Sequence, residues 1–465
     1  MTNPKYIKTL SYYLIAVLFS SLQLSCKKDF LEKKPDKALL VPVTLDDFQE
    51  LLNNSSDVMN FSPVLPLISS DDLSITDNGY NALPPQEQKS YAWAQSIYDL
   101  NSNSIDWDRP YKQVFYANVV LDGLASKVPD ANNQEKYNQI KGQALFTRAL
   151  AFYNISQEFA EPYHKANANT QPGIPIRLNA DVNIKSVRGT LQQTYDQILT
   201  DLNTALTLLP ASQNYLTRPN KTAVYALLAR LYLSMGDYKN ASINAAVCLQ
   251  QKSTLINFNH IQSASTYKMP KSLAGTNVEV IYHQVMNFSA ATTVNATTLV
   301  ALSLYQLYDD NDLRKTLFFK KTDPVTINFK GNYTGTYENF SGLATDEIYL
   351  IQAECLARSG ETQAAMDLLN QLLMNRYTTG KFSPLTASNA EEALIKILLE
   401  RRKELLFRGL RWSDLRRLNQ EPAHQTTLMR TIKGQTYTLL PNGNRYTLPI
   451  PESVIQATGM QQNPR

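Results

Sequence analysis

Apolar residues along this chain recur mostly at three- and four-residue steps, the period of an α-helix that buries one face. From Thr222 to Gln250, the residues Ala223, Leu227, Leu228, Leu231 and Tyr232 make one stripe; Gly236-Asp237 interrupts it, and Ala241, Ala245 and Cys248 resume it. The stretch Asp346 to Arg376 repeats the arrangement. Its Ala353, Leu356, Gly360 and Ala365 are separated by 3, 4 and 5 positions, as are Ala229, Tyr232, Gly236 and Ala241, and Leu369 and Leu372 fall where Ala245 and Cys248 do. Three more helices follow from the same period. Gln134 to Phe159 carries Tyr137, Ile140, Ala144, Ala151, Ile155 and Phe159 on one side, and Thr190 to Leu209 runs from a capping Thr to Pro210. Leu394, Ile397, Leu405 and Leu406 stripe a late helix from Glu391 to about Leu410.

A small residue, a large apolar one, a turn glycine and an alanine at this spacing resemble the tetratricopeptide unit, a helical hairpin of roughly 34 residues. Small residues let the two helices approach, and glycine supplies the tight turn. Two other stretches have no such period. Residues 53–107 and 252–342 are rich in Asn, Thr, Ser, Tyr and Phe, with brief alternations such as Val278-Glu279-Val280-Ile281-Tyr282. The pattern therefore predicts a mainly α fold: a tetratricopeptide-like scaffold of helical hairpins, mainly over 110–250 and 343–418, bearing long irregular, loop-rich insertions. Such insertions on a rigid frame are where binding sites concentrate.

The N-terminus predicts the compartment. Lys5 and Lys8 precede an apolar run from Leu10 to Leu24, and Ser25-Cys26 follows at once. That order is a secretory signal, and the run is shorter than the roughly twenty residues of a bilayer span. A Cys directly after such a run is the lipid acceptor of bacterial lipoproteins, although Leu24 stands two places before it rather than three. We expect residues 1–25 to be a lipoprotein signal, Cys26 to be acylated, 26–40 to be a tether and 41–465 the folded domain, anchored by lipid rather than inserted. Cleavage would remove Lys5 and Lys8 and lower the formal net charge from +4 to +2. Cys248 and Cys355 fall inside apolar helical patterns and read as buried free thiols.

The chemistry is sparse. A net charge of +4 gives no field fit for nucleic acid, and 16 Gly in 465 residues leave little for phosphate-cradling loops. The histidines His164, His260, His283 and His424 are scattered, and nucleotide and hydrolase motifs are absent. No catalytic residue, metal or cofactor is expected. Asp71-Asp72 is the one carboxylate pair that hints at a glycosidase. Asp309-Asp310-Asn311-Asp312 lacks the Gly and distal Glu of a calcium loop and reads as a solvated turn. Glu400-Arg401-Arg402-Lys403-Glu404 and Arg416-Arg417 read as ion pairing within and between helices. The aromatic content is distinctive: 26 Tyr, 16 Phe and 3 Trp. Rings beside Asp and Asn suit sugars, which stack C–H faces on rings and hydrogen-bond through hydroxyls. Candidate ligand-binding residues are Asp71, Asp72, Tyr80, Trp93, Tyr98 and Asn101 in the first irregular segment and Tyr305, Tyr333 and Tyr337 in the second. Trp107 reads as packed against its own helix.

Taken together, these residues resemble the SusD/RagB family of outer-membrane lipoproteins. The resemblance opens at Cys26 with Asp29-Phe30-Leu31-Glu32-Lys33-Lys34-Pro35, continues through Trp107–Asn118, Gln143–Tyr153 and Gly173-Ile174-Pro175, and passes Arg218-Pro219 into the first repeat. It is strongest late, in Asp346–Glu354, Glu400–Leu405 and Gly409–Arg417, and ends with Leu448-Pro449-Ile450-Pro451 and Gln462-Asn463-Pro464. The resemblance implies a non-enzymatic protein at the cell surface, a lid on a SusC-like TonB-dependent transporter, which captures glycans and releases them by a hinge motion. Peptides are the alternative cargo. A repeat scaffold that binds only proteins, or a secreted glycosidase, are the rival readings.

Overall fold

The repeating apolar pattern becomes a stack of antiparallel helices. The computed structural model describes residues 42–100, 102–293 and 299–465; the signal sequence, Cys26 and Asn101 lie outside them. Ten helices among the described residues have eight residues or more: α1 (Leu45–Leu52), α2 (Ile105–Ala125), α3 (Gln134–Phe159), α4 (Leu191–Leu208), α5 (Lys221–Ser234), α6 (Tyr238–Gln251), α7 (Thr345–Arg358), α8 (Thr362–Met374), α9 (Ala390–Glu404) and α10 (Arg411–Leu418). Successive helices pack as α2 on α3, α3 on α4, α5 on α6 and α7 on α8, and α6 and α7 join the two repeats. Thr44–Arg465 makes one compact unit.

Local chemistry sets the boundaries. Thr190 closes a capping box with Gln193 at the start of α4. The two matched glycines, Gly236 and Gly360, have φ of +71° and +89° with open space around them, so it is the left-handed backbone that requires glycine there. Across the repeats, Ala229, Ala241, Ala245 and Cys248 are buried, and so are Ala353, Ala365, Leu369 and Leu372. Cys248 and Cys355 are free and buried, and burial pushes each thiol up to about 12. Trp107 is packed, edge-on to Phe159 at 4.9 Å.

One helix differs from its pattern. The late helix stops at Glu404 instead of running to Leu410, because Phe407 and Gly409 take φ of +57° and +73°. Phe407 turns onto Phe329, stacked at 4.7 Å, and the left-handed backbone at Gly409 favours glycine there. Tertiary packing has overridden a helical period.

The charge run preceding this break is buried except for the half-buried Arg402. Arg314, with no exposed surface, takes Asp312 through Nε and Nη2 (2.9 and 2.7 Å), Glu400 at 2.7 Å and Glu404 at 3.0 Å. Arg376 bonds Glu404 at 2.7 Å and Glu279 at 2.9 Å, and the Tyr333 hydroxyl donates to Glu279 at 2.6 Å. Lys403 spans Glu400 and Asp312. Asp312 is thus not part of a solvated turn but a buried ion partner; only its neighbours Asp309–Asn311 are exposed. Two flanking pairs, Arg230 with Glu347 and Arg417 with Glu354, are each bidentate.

Removing one member of a buried network leaves the others uncompensated. Arg376→Met is expected to lower the unfolding free energy by about 3–5 kcal/mol in urea titration. Lys136→Ala, which breaks an exposed pair with Asp46, should change it by no more than about 0.5 kcal/mol.

Candidate functional site

The two irregular segments meet. Their regular elements are short: Phe61–Ser62 pairs in parallel with Val285–Met286, and Leu73–Ser74 pairs antiparallel with Leu299–Val300. Side chains complete the join. Asp106, at the start of α2, is fully buried; its carboxylate accepts from the Val64 and Leu65 N–H groups at 2.8 and 2.7 Å and from Asn287 Nδ2 at 2.7 Å. Asn287 Oδ1 accepts from Arg109 Nη1 at 2.7 Å, and that guanidinium lies 4.1 Å from the Phe61 ring centroid. Glu87, in the short helix Pro85–Tyr91, accepts from the N–H groups of Ala290 and Ala291 at 3.1 and 2.8 Å. Burial pushes Asp106 up to about 6 and raises Glu87, partly offset in each by the hydrogen bonds it accepts.

Segment 287–291 is therefore clamped on both sides of Phe288. Asn287 and Ser289 are buried, while the Phe288 ring is 69% exposed. It stands over a cleft of about 220 Å³ lined also by Pro84, Pro85, Gln86, Asp99 and Ser102. An exposed apolar ring on clamped backbone, beside a carboxylate, an amide and a hydroxyl, is suited to a flat, hydroxyl-rich ligand.

Sequence reading missed Phe288. Its one signal is a ring between the polar residues Asn287 and Ser289, a pattern too common to single out. Most of the residues it named lie elsewhere. Asp71 is held by Arg411 at 2.7 and 3.0 Å and by Arg402 at 2.9 Å, and these guanidiniums lower its carboxyl to about 2 against the opposing effect of burial. Asp72 is buried against Arg402 at 3.3 Å, and burial pushes it up to about 6. The pair is an ion-pair anchor rather than a ligand contact or a glycosidase's two acids. Trp93 is core: its Nε1 donates to the Ser69 carbonyl at 2.9 Å, and Arg430 lies 4.3 Å from the ring centroid. Tyr98 and Tyr333 are buried too, so none of these three rings offers a face to a ligand. Tyr80 and Tyr305 are half-buried, against Tyr91 and Phe319 respectively. Tyr337 is 54% exposed but does not line this cleft. Among the described residues, Glu279, Asp346 and Glu404 come close enough together to ligate a metal, but Arg376, Arg408 and Arg314 already grip them.

Comparison with known proteins decides the family. Residues 29–233 match the model SusD-like_3, described as starch-binding and associating with the outer membrane, and residues 330–465 match the SusD_RagB model of the SusD family. The chain belongs to the SusD family. Its relative SusD-like protein P2 of Formosa agariphila is 24% identical over 377 residues, covering 67% of this chain and 71% of that one. A SusD superfamily protein of Bacteroides thetaiotaomicron shares the fold with a TM-score of 0.72 at 23% identity, over 91% of this chain and 100% of the other. A laminarin-binding SusD-like protein matches with a TM-score of 0.65 at 18% identity, over 90% and 98%. In this SusD-family chain the late motifs Asp346–Glu354, Glu400–Leu405 and Gly409–Arg417 are the buried ion network and the turn after it, which is why they mark the fold and not the ligand. No helix among the described residues is long and apolar enough to cross a membrane.

The Asp106 clamp should be visible in the pH dependence of stability. The native carboxyl releases its proton near 6 and the unfolded one near 3.8, so between those values the native state holds more protons and stability falls as pH rises. Asp106→Asn removes that contribution. The variant's unfolding free energy from urea titration should therefore fall less than the wild type's from pH 4 to pH 7, a difference on the order of 3 kcal/mol.

Proposed function

We propose that this protein is a cell-surface binding lipoprotein which captures oligosaccharides in the Phe288 cleft and passes them, unmodified, to a SusC-like TonB-dependent transporter of the outer membrane. One observation carries the reading. An exposed aromatic ring is carried on backbone clamped by buried carboxylates at the place where both loop-rich segments meet, beside Asp99, Gln86 and Ser102. Clamping matters because backbone already fixed in place loses little freedom on binding, so more of the stacking energy appears as affinity. The starch-binding description of the matched family model and the laminarin bound by a fold neighbour favour neutral glucans as first ligands to try. The lipid on Cys26 would keep the cleft at the membrane surface, where a transporter could take up what it releases.

Malto- and laminari-oligosaccharides should bind the full-length protein in detergent, as read by calorimetry. Phe288→Ala should weaken that binding at least about tenfold while leaving the melting temperature unchanged. Unaltered affinity in the variant, or binding of peptides in place of sugars, would refute the assignment. Separately, labelled palmitate should enter the chain, a Cys26→Ala variant should take up none, and a TonB-dependent barrel should co-purify with the lipidated form.

A further inference from the structure

A second cleft has a different chemistry. The connection from α6 to Val280 folds into a basin of about 550 Å³, within the size range of small-ligand sites. His260, Lys268 and Lys271 line it, together with Tyr267, and no Asp or Glu does. Lys271 is exposed, and Lys268 Nζ donates to the Thr316 carbonyl at 3.4 Å; among the described residues neither lysine has a carboxylate partner. A third lysine, Lys330, sets its Nζ 5.2 Å from the Tyr267 ring centroid. The next acid along the chain, Glu279, is buried against Arg376 and Tyr333, and Glu338, which follows the turn that closes the basin, is not part of its lining.

The basin is built rather than loose. A Cβ at Gly335 would come within 2.7 Å of the Met269 carbonyl and 2.9 Å of Lys271 Cα, so glycine lets the turn at 332–337 press against the strand of chain that carries the lysines. Asn332 Nδ2 closes that turn on the carbonyls of Thr336 and Tyr337, and Ser272 N and Asn277 Nδ2 bond the carbonyls of Thr334 and Tyr333. Tyr337, one of the aromatics singled out in the sequence, is presented by this turn next to Tyr267; burial and the Tyr337 phenol together raise the Tyr267 hydroxyl above its ordinary value. The neutral lining groups, among them Asn257, Gln262 and Thr276, are hydrogen-bonding partners for hydroxyls.

We propose that this basin is a second carbohydrate site, specific for sugars that bear carboxylate or sulfate groups: Lys268 and Lys271 take the anionic substituent, and Tyr267 and Tyr337 take the ring. Cations without counter-charge select an oxyanion, and phenol rings with amides select a hydroxyl-rich body over a bare ion. The proposal rests on reading the chain as a carbohydrate-binding protein, but it concerns another part of the surface and another ligand class.

The test is calorimetry on full-length protein in detergent with trigalacturonate, a sulfated trisaccharide, a neutral laminari-oligosaccharide and inorganic sulfate, at 20 and 300 mM NaCl. The double variant Lys268→Glu/Lys271→Glu should weaken binding of an acidic trisaccharide at least about tenfold and spare the neutral one, whereas Phe288→Ala should do the reverse. Raising the salt should weaken only the acidic ligands. Acidic sugars that bind the charge-reversed protein as well as wild type, that lose binding in Phe288→Ala, or that fail to bind at all would overturn the proposal. So would sulfate alone binding as tightly as the acidic trisaccharides, which would make the basin a simple ion site. Failure of neutral sugars to bind would instead count against the Phe288 cleft, so the two failures are distinguishable.

Discussion

The buried guanidinium–carboxylate network is the interaction on which the rest of the structure depends. Arg314 and Arg376 both reach Glu404 on α9, and from there Glu279 and Tyr333 on one side and Asp312 on the other belong to the long irregular segment. Among its described residues that segment has only strands of two or three residues and helices of three or four, too little backbone pairing to fix about ninety residues. Charged side chains supply the missing constraint. Their geometry is exacting, since a bidentate guanidinium accepts a carboxylate in one plane only, and a displaced loop would leave charges buried and unpaired. The network therefore contributes register more than net stability. Glu404, faced by two arginines, stays below the usual carboxylate range against the opposing effect of burial, while burial, helped by two acidic neighbours and opposed by one arginine, pushes Glu279 up to about 7.

The same principle recurs at smaller scale around the Phe288 cleft. Asp106 and Glu87 each hold backbone N–H groups of a segment remote in sequence, as a helix cap holds its first turn. Both carboxyls are displaced upward by burial, so ionised clamps at neutral pH sit at an energetic disadvantage. A fixed backbone beneath the exposed ring is what that disadvantage secures. A ring on a free loop would lose its freedom on binding instead.

How much of this was legible follows from the range of each signal. Helix α3 has the bounds its period gives, Gln134–Phe159, and α4 begins at its capping Thr190, because period and cap are local. The two hairpin turns were readable at Gly236 and Gly360 for the same reason. The charge run Glu400–Glu404 announced ion pairing, but whether its partners lay in solvent or in the core depends on Asp312, Arg314 and Arg376, and spacing along one helix cannot say so. The aromatics fared worst. In a helix the period separates buried from exposed rings, whereas in an irregular segment nothing does. Trp93, Tyr98 and Tyr333, which read as ligand contacts, are core, while Phe288, which read as nothing, is exposed, as is Tyr337. The failure lies in the missing period, not in the residue types.

This division of labour bears on how such a fold changes its ligand. Residues that hold the irregular segments in place are buried, charged and mutually dependent, so a single substitution among them leaves a partner without compensation. Residues that face the clefts are few, and they make almost no contribution to the network: Phe288, Gln86 and Ser102 at one, Lys268, Lys271 and Tyr267 at the other. Substitutions at these positions alter what the surface attracts, a stacking ring here and a positive potential there, at the small stability cost typical of exposed sites. A stacking cleft and a cationic basin can thus share the long irregular segment because buried carboxylate clamps fix the backbone at one and buried ion pairs fix it at the other, and neither specifies a ligand. The motifs that identify the family and the groups that select a ligand are consequently different residues under different constraints, and the first cannot predict the second.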